Sequence, residues 1–341
     1  MDLSALNAVA RAMVAPGKGI LAADESTGTI RKRFDAIGVE NTESNRRDYR
    51  ELMFRSEAMK ASISGVILFE ETLYQDAADG TPLVDLITAA GSIPGIKVDK
   101  GASKMAGFPG ETITKGMDGL SKRVRAHYER GARFAKWRGV IDIADGIPSW
   151  GCIKSNAHAL ARYAAICQQE QVVPIVEPEI LMDGSHDITR ADEVTRWVLQ
   201  TVFNELAEQR VQLEGIILKP GMVIAGKGSV RQAGVQEVAE RTIAALKATV
   251  PSAVPGIAYL SGGQSDEQAT AHLDAMNKIG GFPWPMTFSY GRALQAAPQR
   301  AWGGKPENIA AAQREFGHRA RMNSLASLGQ WDVKMETKKA A

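Results

Sequence analysis

The sequence contains little cysteine and no concentrated charge. Cys152 and Cys167 are its two cysteines, and they lack the close spacing of a zinc or redox motif. The formal net charge is +2, without a dense basic tract. Because nucleic acids and acidic membranes attract concentrated positive charge, we expect neither as a partner. Two free thiols suit a reducing compartment, which predicts a cytoplasmic protein.

Long hydrophobic runs are also missing. No apolar stretch approaches the roughly 20 residues that a membrane-spanning helix needs. Residues 1–14 have neither the apolar segment of a signal peptide nor the arginine content of a transit peptide. Apolar residues make up 44% of the chain and charged residues 23%, which excludes a disordered or collagen-like protein. The composition predicts a globular protein with a sizeable core.

Eight short apolar runs alternate with longer segments of helical periodicity. The runs are Gly19–Ala23, Gly65–Phe69, Gly95–Val98, Arg133–Trp137, Val172–Val176, Gly215–Leu218, Ile257–Leu260 and Met286–Ser289. Continuous apolar runs are typical of parallel strands covered on both faces. Eight alternations predict an α/β fold of the (β/α)8 TIM barrel type, with a doubly wound open sheet as the alternative. We expect one domain over residues 1–341, with a flexible tail at about 331–341.

Reactive side chains stand at or just after the ends of most of these runs. They are Asp24 and Glu25, Glu70 and Glu71, Lys97 and Asp99, Lys136 and Arg138, Glu177 and Glu179, Lys219, Ser261 with two glycines, and Gly291 with Arg292. A single charge at a strand end more often marks the exit into solvent. Barrel active sites, however, lie where the carboxyl ends of the strands meet. Repetition at so many ends therefore predicts a catalytic site there.

Lys219 is the candidate nucleophile because it follows an unbroken apolar run. Attack on a carbonyl requires a neutral amine, and burial beside a second ammonium, Lys136, favours that form. The alternative is a structural lysine paired with Glu177 or Glu179, and spacing alone leaves both interpretations open.

Two groups of residues are candidates for binding phosphate. Ser261 and Gly262 follow the seventh run, and Gly291 with Arg292 follows the eighth, where barrels often hold phosphate. Arg33 and Lys97 could hold a second phosphate, although a solvated charged face is the alternative for Arg33. The five histidines are scattered without metal-ligand spacing, so we expect neither a metal nor another cofactor.

Eight motifs together make the chain resemble a known family. They are GKGILAADEST from Gly17, GVILFEETLYQ from Gly65, GIKVDKG from Gly95, FAKWR from Phe134, VPIVEPEIL from Val173, LKPGM from Leu218, LSGGQS from Leu260 and FSYGRALQ from Phe288. From about Gly17 to about Ser327 the chain resembles class I fructose-bisphosphate aldolase. The resemblance implies a (β/α)8 barrel, usually a homotetramer, that acts in glycolysis and gluconeogenesis on a phosphosugar. It implies reversible cleavage of fructose 1,6-bisphosphate to dihydroxyacetone phosphate and glyceraldehyde 3-phosphate, without a cofactor.

The resemblance also implies a role for each matched residue. Lys219 is similar to the Schiff-base lysine, and Glu177 to the acid/base that dehydrates the carbinolamine. Asp24 and Lys136 correspond to residues that move hydroxyl protons at the bond being cut, and Glu179 to a neighbour that tunes charge. The matched phosphate ligands are Arg138, Ser261, Gly262 and Arg292 for the 1-phosphate, and Arg33 with Lys97 for the 6-phosphate.

One departure from the family leaves alternatives open. The family typically ends in a tyrosine on a mobile tail, whereas residues 331–341 contain no tyrosine. Fructose 1-phosphate and sedoheptulose 1,7-bisphosphate therefore remain alternative substrates for the same Schiff-base chemistry. A non-catalytic scaffold is the alternative from another class, because a fold alone does not fix function.

Overall fold

The computed structural model describes residues 1–337, which form ten strands and thirteen α-helices. The strands are β1 (Gly19–Ala23), β2 (Ile63–Leu68), β3 (Ile93–Lys97), β4 (Ala102–Lys104), β5 (Thr112–Thr114), β6 (Phe134–Ile141), β7 (Val173–Ile180), β8 (Ile217–Leu218), β9 (Ile257–Tyr259) and β10 (Met286–Tyr290). The α-helices are α1 (Leu3–Met13), α2 (Thr27–Asp35), α3 (Glu43–Phe54), α4 (Glu57–Ser62), α5 (Glu70–Tyr74), α6 (Leu83–Ala89), α7 (Leu120–Glu129), α8 (Trp150–Gln169), α9 (Ile188–Glu208), α10 (Val235–Thr249), α11 (Asp266–Ile279), α12 (Arg292–Trp302) and α13 (Ile309–Ser327). Short 3-10 turns lie at Leu213–Gly215, Pro306–Asn308 and Val333–Met335.

Eight of the strands close into one parallel barrel. Their order around the barrel is β1, β10, β9, β8, β7, β6, β3 and β2. The predicted α/β class and (β/α)8 barrel are therefore confirmed, and the open doubly wound sheet is wrong. β4 and β5 form a separate antiparallel hairpin that the sequence did not predict. β6 and β7 also continue past the predicted ends, to Ile141 and Ile180.

Alternation along β1 determines which residues enter the barrel. Ile20 and Ala22 belong to an inner apolar cluster with residues of six other barrel strands and of α1. Leu21 and Ala23 belong instead to the outer core between the strands and the helices. Successive side chains of a strand point to opposite faces, so the residue after Ala23 faces the barrel interior, as Ile20 and Ala22 do. This places Asp24 at the mouth of the barrel.

Two features close the end of the barrel opposite the mouth. Buried residues of α1, including Leu6 and Met13, pack on the inner cluster. The ring of Phe134 fills the interior, and a Cβ atom at position 95 would lie only 2.2 Å from that ring. Gly95 is therefore required for the ring to fit, since close packing tolerates no such overlap. With this end filled, the free space lies at the carboxyl ends of the strands.

Helix starts and buried faces follow the sequence pattern with one exception. Ser265 and Gln268 form a capping box at the start of α11. On α9, Val194, Trp197 and Val198 recur at the spacing of an apolar stripe, which predicts burial, and Val194 and Val198 are indeed buried. Trp197, which belongs to the same stripe, is 43% exposed.

The segment after α13 contacts two helices in the part that the structure describes. Trp331 is buried, and its backbone N–H donates to Asp274 Oδ1 at 2.9 Å. Glu336 contacts α13 through His318 and Arg319. Trp331 and Glu336 thus attach this segment to α11 and α13, whereas Val333 is 61% exposed. The flexibility expected for residues 331–341 stays a prediction. Residues 338–341 of the predicted tail lie outside the described residues, and the single-domain boundary stays a prediction. Within residues 1–337, no helix is long and apolar enough to cross a membrane.

Candidate active site

One cleft at the carboxyl ends of the strands collects the candidate residues. It has a volume of about 340 Å³. All twelve residues proposed from the sequence line it: Asp24, Arg33, Lys97, Lys136, Arg138, Glu177, Glu179, Lys219, Ser261, Gly262, Gly291 and Arg292. These strand-end residues converge on one cleft, whereas Glu70 and Glu71, which were expected there as well, do not line it; Glu71 pairs instead with Arg46 and Arg50.

The pairing of β6 with β7 explains why four charged residues face the cleft together. Arg138 pairs in register with Glu177, one step beyond Lys136 on the same inner face of β6. Phe134 and Ile175, two residues before Lys136 and Glu177, belong to the inner apolar cluster. Because side chains alternate between the two faces of a strand, the inward-facing residues of β6 and β7 change from apolar, at Phe134 and Ile175, to charged, at Lys136 and Glu177.

The central contact joins the candidate nucleophile to a carboxylate. Lys219 Nζ lies 3.2 Å from Glu177 Oε1, and both side chains are almost fully buried. Lys136 Nζ lies 3.3 Å from the other oxygen of Glu177 and 2.8 Å from Asp24 Oδ2. The ion pair considered as an alternative role for Lys219 is thus present, and its carboxylate is the candidate acid/base. Glu177 Oε2 has no aligned hydrogen-bond donor among the described residues, so it can accept one from a substrate.

Electrostatics fix the protonation states of Asp24 and Lys136. Burial alone would raise the pKa of the Asp24 carboxyl, but Lys136 and Lys219 hold that pKa well below its usual range. Burial alone would lower the pKa of the Lys136 ammonium, but Asp24 and Glu177 raise it above its usual value. At neutral pH the cleft therefore contains an ionised Asp24 and a protonated Lys136.

A second carboxylate on β7 engages an arginine. Glu179 pairs with Arg138 Nε across the strand interface. Burial opposes the charge of Arg138, but the neighbouring Glu179 and Glu177 raise its pKa above the usual value. Arg138 remains a cation on the wall of the cleft, where it can attract an anionic ligand.

Loops after β9 and β10 form a concave polar rim. Gly262 has φ +57°, a left-handed conformation that favours glycine. Arg292 Nη2 donates to the Gly262 carbonyl at 2.5 Å, which joins the two loops. Gly291 is the N-cap of α12, so the positive end of that helix also faces this part of the cleft. The arrangement can bind an anion through backbone N–H groups, a hydroxyl and a guanidinium.

A second cationic group lies in the same cleft beside carboxylates. Arg33 Nη1 lies 2.5 Å from Glu25 Oε1, and Lys97 Nζ lies 3.2 Å from Asp99 Oδ1. Arg33 is partly buried by this contact, so the solvated charged face considered for it does not describe its position. Arg33 and Lys97 therefore form a second set of cations in the cleft.

Sequence reasoning missed three hydroxyl residues that line the cleft, namely Ser26, Thr29 and Ser289. Ser289 is paired in register with Ile20, an inner residue, so it also faces the barrel interior. Its Oγ is buried and has no hydrogen-bond partner among the described residues. The signal that could have found it is its position one strand step before Gly291. For residues 1–337, no group of three or more His, Cys, Asp or Glu residues could hold a metal ion.

Comparisons with known proteins agree with this geometry. The family model "Fructose-bisphosphate aldolase class-I" matches residues 5–341. A "probable fructose-bisphosphate aldolase class 1" of Xanthomonas axonopodis pv. citri is 55% identical over 97% of this chain and 99% of its own length. "Fructose-bisphosphate aldolase 1" of Toxoplasma gondii is 57% identical over 94% of this chain and 89% of its own.

A solved structure has the same architecture. The chain is similar to fructose-bisphosphate aldolase from Plasmodium falciparum, crystallised with TRAP and a small-molecule inhibitor, with a TM-score of 0.96 and 49% identity. The match covers 97% of this chain and 96% of that one. Because the family model and these relatives span nearly the whole sequence, the chain belongs to the class I fructose-bisphosphate aldolase family.

Proposed function

We propose that Lys219 is the Schiff-base nucleophile with which this class I aldolase reversibly cleaves fructose 1,6-bisphosphate. The single observation that carries the assignment is the contact of 3.2 Å between the buried Lys219 amine and Glu177. A nucleophile within hydrogen-bond reach of a proton-transfer group is the arrangement that covalent catalysis needs.

In the first half-reaction, Lys219 passes a proton to Glu177, and the neutral amine attacks carbon 2 of the ketose to form a carbinolamine. Glu177 then returns that proton to the hydroxyl group, which leaves as water, and a protonated imine remains. The imine then accepts the electron pair released when the bond between carbons 3 and 4 breaks. Glu177 can serve both lysine and substrate because its second oxygen lacks an aligned donor.

Asp24 and Lys136 handle the proton on the hydroxyl of carbon 4. The ionised Asp24 accepts that proton. The protonated Lys136, whose Nζ lies 2.8 Å from Asp24 Oδ2, stabilises the substrate oxygen as negative charge develops on it. Glu179 acts through its ion pair with Arg138 and limits the positive charge near the imine. In the synthetic direction the same groups return the proton.

The two cation sets bind the two phosphates of the substrate. Ser261, Gly262, Arg292 and Arg138 hold the 1-phosphate, with Gly291 shaping the loop. Arg33 and Lys97 hold the 6-phosphate. Their ion pairs with Glu25 and Asp99 keep the cations ordered before substrate arrives.

Borohydride trapping tests the proposal directly. We expect that dihydroxyacetone phosphate with borohydride inactivates the enzyme and leaves one reduced adduct on the peptide that contains Lys219. Lys219→Arg should abolish both adduct and activity, while the unreduced enzyme without substrate serves as the control. An adduct on another lysine would overturn the assignment of Lys219, and full inhibition by EDTA with no adduct would overturn the Schiff base itself.

We further propose a cytoplasmic homotetramer. Three Arabidopsis thaliana relatives, 55–56% identical, are named cytosolic. Trp150 is 64% exposed and Trp197 is 43% exposed on adjacent helices, which supports a face that is covered by a second copy. Sedimentation equilibrium should give about four times the chain mass, and Trp150→Ser with Trp197→Ser should lower it. A monomeric parent protein would contradict the assembly.

A further inference from the structure

The loops after β7 and β8 are fastened to each other above the barrel. Three backbone hydrogen bonds join segment 182–186 to segment 226–228: Lys227 N to Met182 O at 2.7 Å, Gly226 N to His186 O at 2.9 Å, and Gly228 N to Gly184 O at 3.0 Å. Hydrogen bonds at both ends of so short a segment hold its backbone in one place. The backbone position from which the Lys227 side chain extends is therefore fixed relative to the barrel mouth.

From this position, the Lys227 side chain reaches the loop after β9. A Cβ atom at position 263 would lie 2.4 Å from Lys227 Cε and 2.5 Å from Lys227 Nζ. The ammonium thus occupies space that any side chain at position 263 would take. Gly263 directly follows Gly262 of the proposed phosphate loop, so Lys227 is packed against the same turn that holds Ser261.

The ion pair with Asp183 leaves the Lys227 ammonium accessible to a ligand. Lys227 Nζ lies 2.8 Å from Asp183 Oδ1, with side chains 46% and 66% exposed. Exposed ion pairs of this kind contribute little stability, about 0–1 kcal/mol. The hydrogen bond from Lys227 lowers the pKa of Asp183, and the charges of Arg292 and Arg138 lower it further. Asp183 and Lys227 therefore lie in the field of the same arginines that line the cleft.

We propose that Lys227 is a further binding cation for the phosphate group held by the loop Ser261–Gly263. In the free enzyme Asp183 neutralises Lys227, and a bound phosphate dianion competes with that carboxylate for the ammonium. This rests on the proposed assignment of the loop to the 1-phosphate. Because Lys227 is not among the residues that line the cleft around Lys219 and Glu177, its charge acts on phosphate binding and leaves the chemical steps unchanged.

The test compares steady-state constants of Lys227→Met, Lys227→Arg and a matched control. Lys278→Met removes another half-exposed lysine, which pairs with Asp274 at 2.6 Å on α11. We expect Lys227→Met to raise KM for fructose 1,6-bisphosphate about 3- to 10-fold at low salt, with kcat unchanged. One nearby charge that is screened by water changes the affinity for an anion by about this factor. Lys227→Arg should retain most of the affinity, and Lys278→Met all of it.

Two further measurements separate the possible failures. Fructose 1-phosphate carries only the phosphate that this loop would hold, so its KM should rise by the same factor in Lys227→Met. Arg292→Ala should raise both KM values. If Arg292→Ala raises them and Lys227→Met does not, the inference about Lys227 is overturned and the loop assignment survives. If Arg292→Ala also has no effect, the proposed phosphate loop itself is overturned. A fall in kcat without any rise in KM in Lys227→Met would mean that Lys227 is merely structural and would overturn the inference.

Discussion

Glu177 Oε1 lies 3.2 Å from the amine of Lys219, and this contact links the nucleophile to a network of alternating charge. The other oxygen of Glu177 faces Lys136, which in turn contacts Asp24. A single carboxylate thus stands between two lysines, one proposed to be covalently modified and one held protonated by its neighbours. Proton transfer and covalent attack can occur side by side because both groups project from the inner faces of neighbouring strands.

The first prediction concerns proton transfer by Glu177. Glu177→Gln preserves size but removes the acid/base group, so dehydration of the carbinolamine should become slow. We expect kcat to fall about 10²- to 10³-fold, the usual range for loss of a general acid. Rapid-quench experiments should find carbinolamine accumulating before the reducible imine appears.

A matched variant distinguishes loss of catalysis from loss of stability. Glu205 is also a buried glutamate, paired with Lys154 Nζ at 2.8 Å between α8 and α9. Glu205→Gln should change stability with little effect on kcat. If Glu177→Gln keeps the parental kcat, or if both variants lose activity equally, Glu177 is not the dehydrating acid.

A second prediction separates imine formation from carbon–carbon cleavage. Asp24 is ionised beside Lys136, and its proposed role begins only after the imine has formed. Asp24→Asn should therefore lower the cleavage rate by about 10²-fold or more, while borohydride still traps dihydroxyacetone phosphate on Lys219. The measurement is the ratio of trapped adduct to cleavage rate in parent and variant. A proportional loss of both would place Asp24 in imine formation.

The charged part of the site could be predicted from sequence because its residues continue the inner series of short apolar strands. Lys136 and Glu177 carry this signal most clearly, since each stands two residues after an inward apolar side chain. Ser289 was not found in this way, because a hydroxyl at the end of an apolar run adds no charge that would mark it as a site residue.

Other features depend on tertiary contacts that a local pattern does not contain. The β4–β5 hairpin has strands of three residues and no apolar run, so pairing such as Ser103 with Ile113 defines it. The stripe on α9 predicts burial of Trp197, but the exposed fraction depends on how far its neighbours extend. The segment after α13 is polar in sequence, yet Glu336 attaches it to the barrel because it meets the buried guanidinium of Arg319.

A third prediction concerns pH and the loop that carries Ser261. His272 is buried, and its Nδ1 lies 2.6 Å from Gln264 Oε1, while Gln264 Nε2 donates to the Ser261 carbonyl at 3.1 Å. Burial lowers the pKa of His272 to about 4. The unfolded chain, with a pKa of about 6.5, takes up a proton first as pH falls, so this residue destabilises the fold progressively between about pH 6.5 and pH 4.

His272→Asn tests this dependence because the asparagine amide can donate where Nδ1 does but does not titrate. We expect that acidification from pH 7 to pH 5 costs the parent about 2 kcal/mol more unfolding free energy than the variant. Urea denaturation at both pH values provides the measurement. Parallel losses in the two proteins would mean that His272 is protonated equally in the folded and unfolded states.

The segment after α13 is held by contacts that converge on one carboxylate. Glu336 Oε2 lies 3.0 Å from His318 Nε2 and also pairs with Arg319, while Trp331 Nε1 donates to Oε1 at 3.0 Å. Arg319 is almost fully buried and donates a further hydrogen bond to Thr270 on α11 at 2.7 Å. The carboxylate therefore neutralises a buried guanidinium and joins residues 331–337 to two helices.

Loss of that carboxylate should destabilise the fold, although Glu336 is distant in sequence from every proposed catalytic residue. Glu336→Ala leaves the buried charge of Arg319 unpaired, and removal of one partner from a buried pair costs about 3–5 kcal/mol. Urea denaturation should give a lower midpoint with an unchanged slope. Glu57→Ala removes a carboxylate that is 87% exposed in its ion pair, and it should change stability by less than about 1 kcal/mol. Equal effects of the two substitutions would show that Arg319 finds compensation in water, and that the segment after α13 contributes nothing to the stability of the barrel.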